Sequence, residues 1–156
     1  MAKAPIITAL LGVPAHPADR AAYEGAVASE RGDARGVCGW CQEALDRIAD
    51  RAVGLMTADS IFAGLALFLA DAASGRTEKL IGSLALVQLV LAVGLLCTTL
   101  WLIGPGVTAD RREDEALTRH GFGLVRGRTI RFTVALWLSG SAYLFILAQV
   151  LLSLAR

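Results

Sequence analysis

Charge is missing from two long stretches of this 156-residue chain. Residues 80–103 (LIGSLALVQLVLAVGLLCTTLWLI) and 132–155 (FTVALWLSGSAYLFILAQVLLSLA) contain no Asp, Glu, Lys or Arg, and residues 52–70 (AVGLMTADSIFAGLALFLA) contain one, Asp59. These runs are continuous and lack a two-residue alternation, which excludes a membrane β-barrel. Catalytic signatures are also absent. There is no Gly-rich phosphate loop after a strand, no P-loop and no Ser/His/Asp set, so no enzyme active site is expected. The two histidines, His16 and His120, stand alone and read as exposed loop residues. No internal repeat or low-complexity tract occurs.

What is present is apolar. The composition is 55% hydrophobic and 19% charged, above and below the soluble norm respectively. About 20 apolar residues cross a hydrocarbon core of ~30 Å. The expected fold is therefore an all-α integral membrane protein with three transmembrane helices and an N-terminal cytoplasmic helical region. The expected boundaries are a cytoplasmic helical region over 1–50 and a first span over 51–71. An external loop over 72–79 leads to the second span, 80–103. A cytoplasmic basic loop over 104–131 precedes the third span, 132–155.

Orientation follows the Lys and Arg residues near span ends. Arg35, Arg47 and Arg51 precede the first span. Arg111, Arg112, Arg119, Arg126, Arg128 and Arg131 precede the third. Only Arg76, Lys79 and Arg156 fall on the other side. Nine against three places the N-terminus in the cytoplasm and the C-terminus in the periplasm, with the chain in the inner membrane. Lys3 followed by APIITALLGVPA imitates a signal peptide. That run is short, opens with Pro5 and ends at Pro14, and cleavage would oppose the arginine distribution. The arm over 1–16 is read as irregular.

Pro17 and Asp19 suit a helix start, and that helix is expected to reach about Glu30. The RGDARG stretch, 31–36, reads as a break. A second helix starts near Val37. Cys41, Leu45, Ile48, Ala52 and Leu55 recur on one helical face, which predicts one continuous rod from the cytoplasmic helix into the first span. The short first loop forces spans one and two into an antiparallel hairpin. Gly104-Pro105-Gly106 stops the second span. Residues 109–120 (ADRREDEALTRH) read as a charged, exposed helix, and GFGLVRGR after it as flexible and basic.

Three constellations are candidates for function. Cys38-Gly39-Trp40-Cys41 has the spacing of a redox pair or half a zinc site. The chain shows neither a surrounding α/β pattern nor two further ligands, so packing beside Trp40 is the leading reading and no metal is expected. Asp59 is the second. A charge at the bilayer centre costs ~2.5–3.5 kcal/mol and usually faces a partner. Asp59 either sits near the headgroups, with the span starting at Ser60, or faces a bundle interior with Gln88, Gln149 or another chain as partner. Asp59, Ser60 and Gln88 form the candidate intramembrane polar and gating set. The small residues Ser139, Gly140, Ser141 and Ala142 allow close helix approach, and a homo-oligomer is expected. The third candidate is the arginine cluster. Arg126, Arg128 and Arg131, with Arg51, suit phosphate contacts; ordinary positive-inside topology and attraction to anionic lipid are the leading reading of the cluster. The net charge of +1 says nothing about partners, and no DNA or RNA partner is expected.

The junction IADRAVGLMTADSIFAGLALF resembles the start of the transmembrane effectors of Pycsar, the pyrimidine cyclase antiphage system. Ala49-Asp50-Arg51-Ala52 stands in for an Ala-Asp-x-Lys-Ala-like sequence, with Arg replacing Lys and one residue fewer. Ala58-Asp59-Ser60-Ile61 falls where that family often has a polar residue, then Ser or Ala, then Ile. The motif covers residues 40–70; beyond it the likeness is one of size, span number and layout. The resemblance implies an antiphage effector. A partner pyrimidine nucleotide cyclase makes cyclic UMP or cyclic CMP on infection. The effector senses it at the cytoplasmic face and impairs the inner membrane, so the cell dies before phage release. No cofactor is implied beyond that ligand, and the bilayer is the remaining partner. The residues alone leave two other classes open: a constitutive small inner-membrane protein, holin-like or an accessory subunit, and a membrane-tethered redox or metal protein using Cys38 and Cys41.

Overall fold

The computed structural model describes residues 17–73, 75–101 and 114–154. Four helices account for nearly all of them: α1 (Pro17–Arg31), α2 (Ala34–Ala72), α3 (Arg76–Trp101) and α4 (Asp114–Leu154). Among the described residues there is no strand. The arm over 1–16, including His16, and the Gly104-Pro105-Gly106 stop lie outside the described residues.

Local chemistry explains the ends. α1 opens on Pro17, carries Asp19 in its first turn and Arg31 in its last, matching the helix dipole at both ends. It stops at Gly32, whose φ of 68° is the left-handed conformation that glycine adopts without a Cβ penalty. Asp33 then caps α2: its Oδ1 accepts the Gly36 N–H at 2.7 Å, the bond an N-cap side chain makes to the third helical residue. A Cβ on Gly36 would stand 2.9 Å from that oxygen, so glycine there keeps the cap intact. The expected break over 31–36 is thus two residues wide, because the cap lets the helix begin at Ala34. At α3, Glu78 in the first turn accepts the Gly75 N–H at 3.4 Å. The connection between α2 and α3 is only 73–75, shorter than the expected loop over 72–79.

α2 has 39 residues and α4 has 41. At 1.5 Å per residue each is about 60 Å long, twice the hydrocarbon thickness. α3, with 26 residues, is about 39 Å long. All three are long and apolar enough to cross a membrane, and the chain has the architecture of a multi-pass membrane protein. α2 runs uninterrupted through the 51/52 boundary, as expected. Within the expected basic loop over 104–131, residues 104–113 lie outside the described residues; the helix expected over 109–120 is present over 114–120, but GFGLVRGR and residues 129–131 are helical too and belong to α4. Glycine costs about 1 kcal/mol in a helix interior, but tertiary contacts on Gly121, Phe122 and Val125 offset it, and no proline follows Pro105.

The chain divides into two compact units. The first comprises residues 1–51 and 99–131, the second 52–98 and 132–156. In the first, Trp40 of α2 lies between Tyr23 of α1 and Phe122 of α4, with ring centroids 5.6 and 5.7 Å away. Val27, Val37, Cys41, Ala44, Ile48 and Val125 are also buried in this unit.

The second unit buries alanines together with a few large residues, Leu89, Leu96, Phe132 and Ile146, and leaves many large ones outside. Ala52, Ala66, Ala85, Ala92, Ala135 and Ala142 are fully buried, whereas Ile61, Phe68, Val90, Trp137 and Leu144 are exposed. This suits a lipid solvent, in which large apolar side chains gain little by burial and small ones let helix backbones approach. Ala66, Ala85, Leu89, Ala142 and Ile146 form one packed cluster.

Candidate functional site

Asp59 is buried inside the second unit, with no exposed surface. It is turned inward, as the bundle-facing one of the two sequence readings has it. Its partners differ from the expected glutamines. Tyr143 Oη donates to Oδ1 at 2.6 Å and Ser139 Oγ lies 2.8 Å from Oδ2. Ser139 and Tyr143 are four residues apart, so α4 presents both hydroxyls on one face. The Tyr143 ring packs on Phe62, three residues after Asp59 on α2, with centroids 4.2 Å apart. Ser139 Oγ is also 3.0 Å from the Ala135 carbonyl, so its single proton has two acceptors to choose between.

Hydrogen bonds to a charged group contribute ~1.5–3 kcal/mol in proteins generally; within membranes, side-chain bonds average ~0.6 and reach ~1.7 kcal/mol. The arrangement ties α2 to α4 inside the apolar unit. It offers a carboxylate and two hydroxyls, with no second acid, base or thiol in hydrogen-bond contact among the described residues. Among the described residues, no group of three or more His, Cys, Asp or Glu side chains could hold a metal ion.

The other members of the sequence-derived set lie apart from Asp59. Ser60 is exposed and its hydroxyl donates to the Met56 carbonyl at 2.8 Å, because the next position on a helix turns 100° away. Gln88 is half-buried and its Oε1 accepts the Ser141 hydroxyl at 3.3 Å. Gln149 is buried, with neither amide atom hydrogen-bonded within the protein. Sequence reasoning missed Tyr143, and under-used Ser139 as merely small. Their i, i+4 spacing was a signal, but only packing shows that the pair faces Asp59.

The arginines split: Arg128 and Arg131 are neighbours on α4, and Arg126 points away from Arg128. Arg51 and Arg126 are exposed, Arg131 is half-buried and Arg128 is buried. Two residues apart on a helix means about 200° of rotation, so Arg126 and Arg128 leave α4 on opposite sides. Burial, and then the like charge of Arg131, hold the Arg128 guanidinium below its ordinary range; Asp46 partly offsets this. Arg20 of α1, unmarked by any sequence signal, is likewise buried. Burial, and then Arg126, lower it, against Glu24.

Cys38 and Cys41 are free thiols. Burial first, then Cys38 and Glu24, push the Cys41 thiol up to about 11. Reactive redox cysteines are shifted the other way. A Cβ on Gly121 of α4 would stand 3.1 Å from Cys41 Sγ, so this sulfur fills the contact between α2 and α4, as the packing reading expects. Cys97, exposed, lies 3.8 Å from Met56 Sδ.

No family model matches this sequence, and no curated protein or solved structure matches it either.

Proposed function

We propose that the chain is an antiphage membrane effector that senses a cyclic pyrimidine nucleotide, cyclic UMP or cyclic CMP, at the cytoplasmic face and impairs the inner membrane. The observation that carries this reading is the Asp59 contact with Ser139 and Tyr143. It ties the two helices, α2 and α4, that also continue beyond the apolar unit as unbroken helix. A ligand that displaces either helix has a mechanical path to that contact. The junction over 40–70 adds the resemblance to the Pycsar effectors, and nine basic residues against three orient the charged residues to the cytoplasm.

Switching an equilibrium from 1:99 to 99:1 takes about 5.5 kcal/mol of differential binding. Two buried polar contacts within the range above lie inside that reach. Arg51 and Arg126, exposed, and Arg131, half-buried, are accessible to a nucleotide phosphate; Arg128 acts from the interior. The active form is a homo-oligomer, and the functional partner is a pyrimidine nucleotide cyclase.

The test is membrane potential in proteoliposomes carrying the purified chain. Depolarisation by one pyrimidine cyclic nucleotide and by no purine one is the expected result. Replacing Arg51, Arg126, Arg128 and Arg131 together with Gln removes it. Depolarisation without nucleotide establishes instead a constitutive holin-like protein. The divergence of Arg126 from Arg128 around α4 favours that second reading. No depolarisation under any condition points to an accessory subunit of a larger membrane complex.

A further inference from the structure

Gln149 is the polar group that the Asp59 contact leaves unexplained. It lies five residues before the end of α4 and is 2% exposed. Both its Oε1 and its Nε2 are buried without a hydrogen-bond partner in the protein. Burying an amide uncompensated costs ~1–3 kcal/mol by mutational measures and more by transfer to hydrocarbon. A leucine would avoid this cost at a position packed among apolar helices.

The surroundings are shaped to the amide. A Cβ on Gly82 of α3 would stand 2.9 Å from Oε1, 3.2 Å from Nε2 and 3.1 Å from the Ala70 Cβ of α2. One residue from each span meets here, and two of the three are the smallest available. Gly82 is six residues into α3 and Ala70 two residues from the end of α2. The junction therefore lies within about 10 Å of the 73–75 connection, measured along the helices. Asp59 lies eleven residues further along α2, about 16 Å away. Between the two sit Ala66, Ala85, Leu89, Ala142 and Ile146, packed together and buried.

We propose that the Ala70–Gly82–Gln149 junction is a water-binding site, the inner end of an aqueous vestibule that opens toward the 73–75 connection. The amide requires a ligand that both donates and accepts. Its atoms are shielded from lipid, and water is the smallest molecule with both capacities. The apolar cluster beneath it is the seal: a constriction lined by Ala, Leu and Ile holds no water and separates the vestibule from Asp59. The polar groups of the bundle interior are thus split into two stations by one dry layer. This assignment stands apart from the nucleotide reading, because neither its geometry nor its test involves a nucleotide.

The test uses single variants in lipid nanodiscs, where both faces meet solvent. A charged methanethiosulfonate reagent is added, and modification is mapped by residue with mass spectrometry so that the native cysteines do not interfere. Because that reagent attacks the thiolate, which apolar burial suppresses, Gln149→Cys is expected to react at least about tenfold faster than Ile146→Cys in the seal and Ala148→Cys on the lipid face. Equal rates at 149 and 146, or no reaction at 149, overturn the proposal. The unsubstituted chain supplies the second measurement. Magnetisation transfer from water to the side-chain amide is expected at Gln149 as well as at exposed Gln42. Transfer at Gln42 alone overturns it independently of whether the variants fold.

Discussion

Removing the Tyr143 hydroxyl alone should destabilise this protein more than removing it together with the Asp59 carboxyl. Tyr143→Phe keeps the ring on Phe62, whose centroid is 4.2 Å away, and deletes only the 2.6 Å bond to Asp59 Oδ1. A fully buried carboxylate oxygen is then left without that donor. The cost should fall between the membrane maximum of ~1.7 kcal/mol and the general value of up to ~3 kcal/mol for bonds to charged groups. Asp59→Leu leaves the opposite orphan, the Tyr143 hydroxyl. Ser139 is not orphaned, since its hydroxyl turns to the Ala135 carbonyl at 3.0 Å. The double variant Asp59→Leu/Tyr143→Phe removes both orphans and leaves an apolar contact, and replacing both partners of a buried hydrogen bond by apolar groups is often nearly neutral or stabilising. The double variant is therefore expected to be more stable than Tyr143→Phe alone, with a coupling energy of about 1–2 kcal/mol. Equilibrium unfolding in mixed micelles, titrating denaturing detergent and following helicity, measures all four corners of the cycle. Additivity within about 0.3 kcal/mol would refute the reasoning, since it would mean that the carboxylate and the hydroxyl do not interact energetically.

Four more outcomes follow from contacts elsewhere. Gly82→Ala should destabilise the bundle by roughly 1–3 kcal/mol through overpacking, because the new methyl meets Gln149 Oε1 at 2.9 Å; unfolding of Gly82→Ala/Gln149→Ala in the same micelles should recover most of the loss. Asp33→Ala should cost about 1 kcal/mol by loss of the N-cap, whereas Asp33→Asn should cost little, read as thermal unfolding. Cys41, with its thiol pushed up from 9.0 to about 11, should alkylate on the order of a hundredfold more slowly at pH 8 than an unshifted thiol, followed by peptide mass spectrometry. The folded state holds this proton more tightly than the unfolded one, so the stabilisation from Cys41 is complete below pH 9 and falls as pH rises toward 11; Cys41→Ala should flatten that part of the stability profile.

The length and continuity of the apolar runs fixed the class of this protein. Residues 80–103 and 132–155 have no other stable solvent than lipid, and only helices satisfy their backbones there. The continuity of α2 was also legible, because the spacing from Cys41 to Leu55 keeps one helical period with no proline across the junction. The RGDARG break was legible as well, since Gly32 and Asp33 act locally as C-terminal stop and N-cap. Tertiary structure decided the rest. GFGLVRGR, 121–128, reads as flexible because three glycines and two arginines carry weak local preference; its helix is held by Phe122 on Trp40 and Gly121 on Cys41, contacts between residues some eighty positions apart. The arginines looked like one cluster because proximity in sequence hides a 200° rotation. Asp59 was recognisable from sequence as the one charge in a span, with a headgroup position and a bundle-facing one both open. The identity of its partner is a property of which face α4 turns toward α2, and a single sequence does not encode that in any short-range pattern.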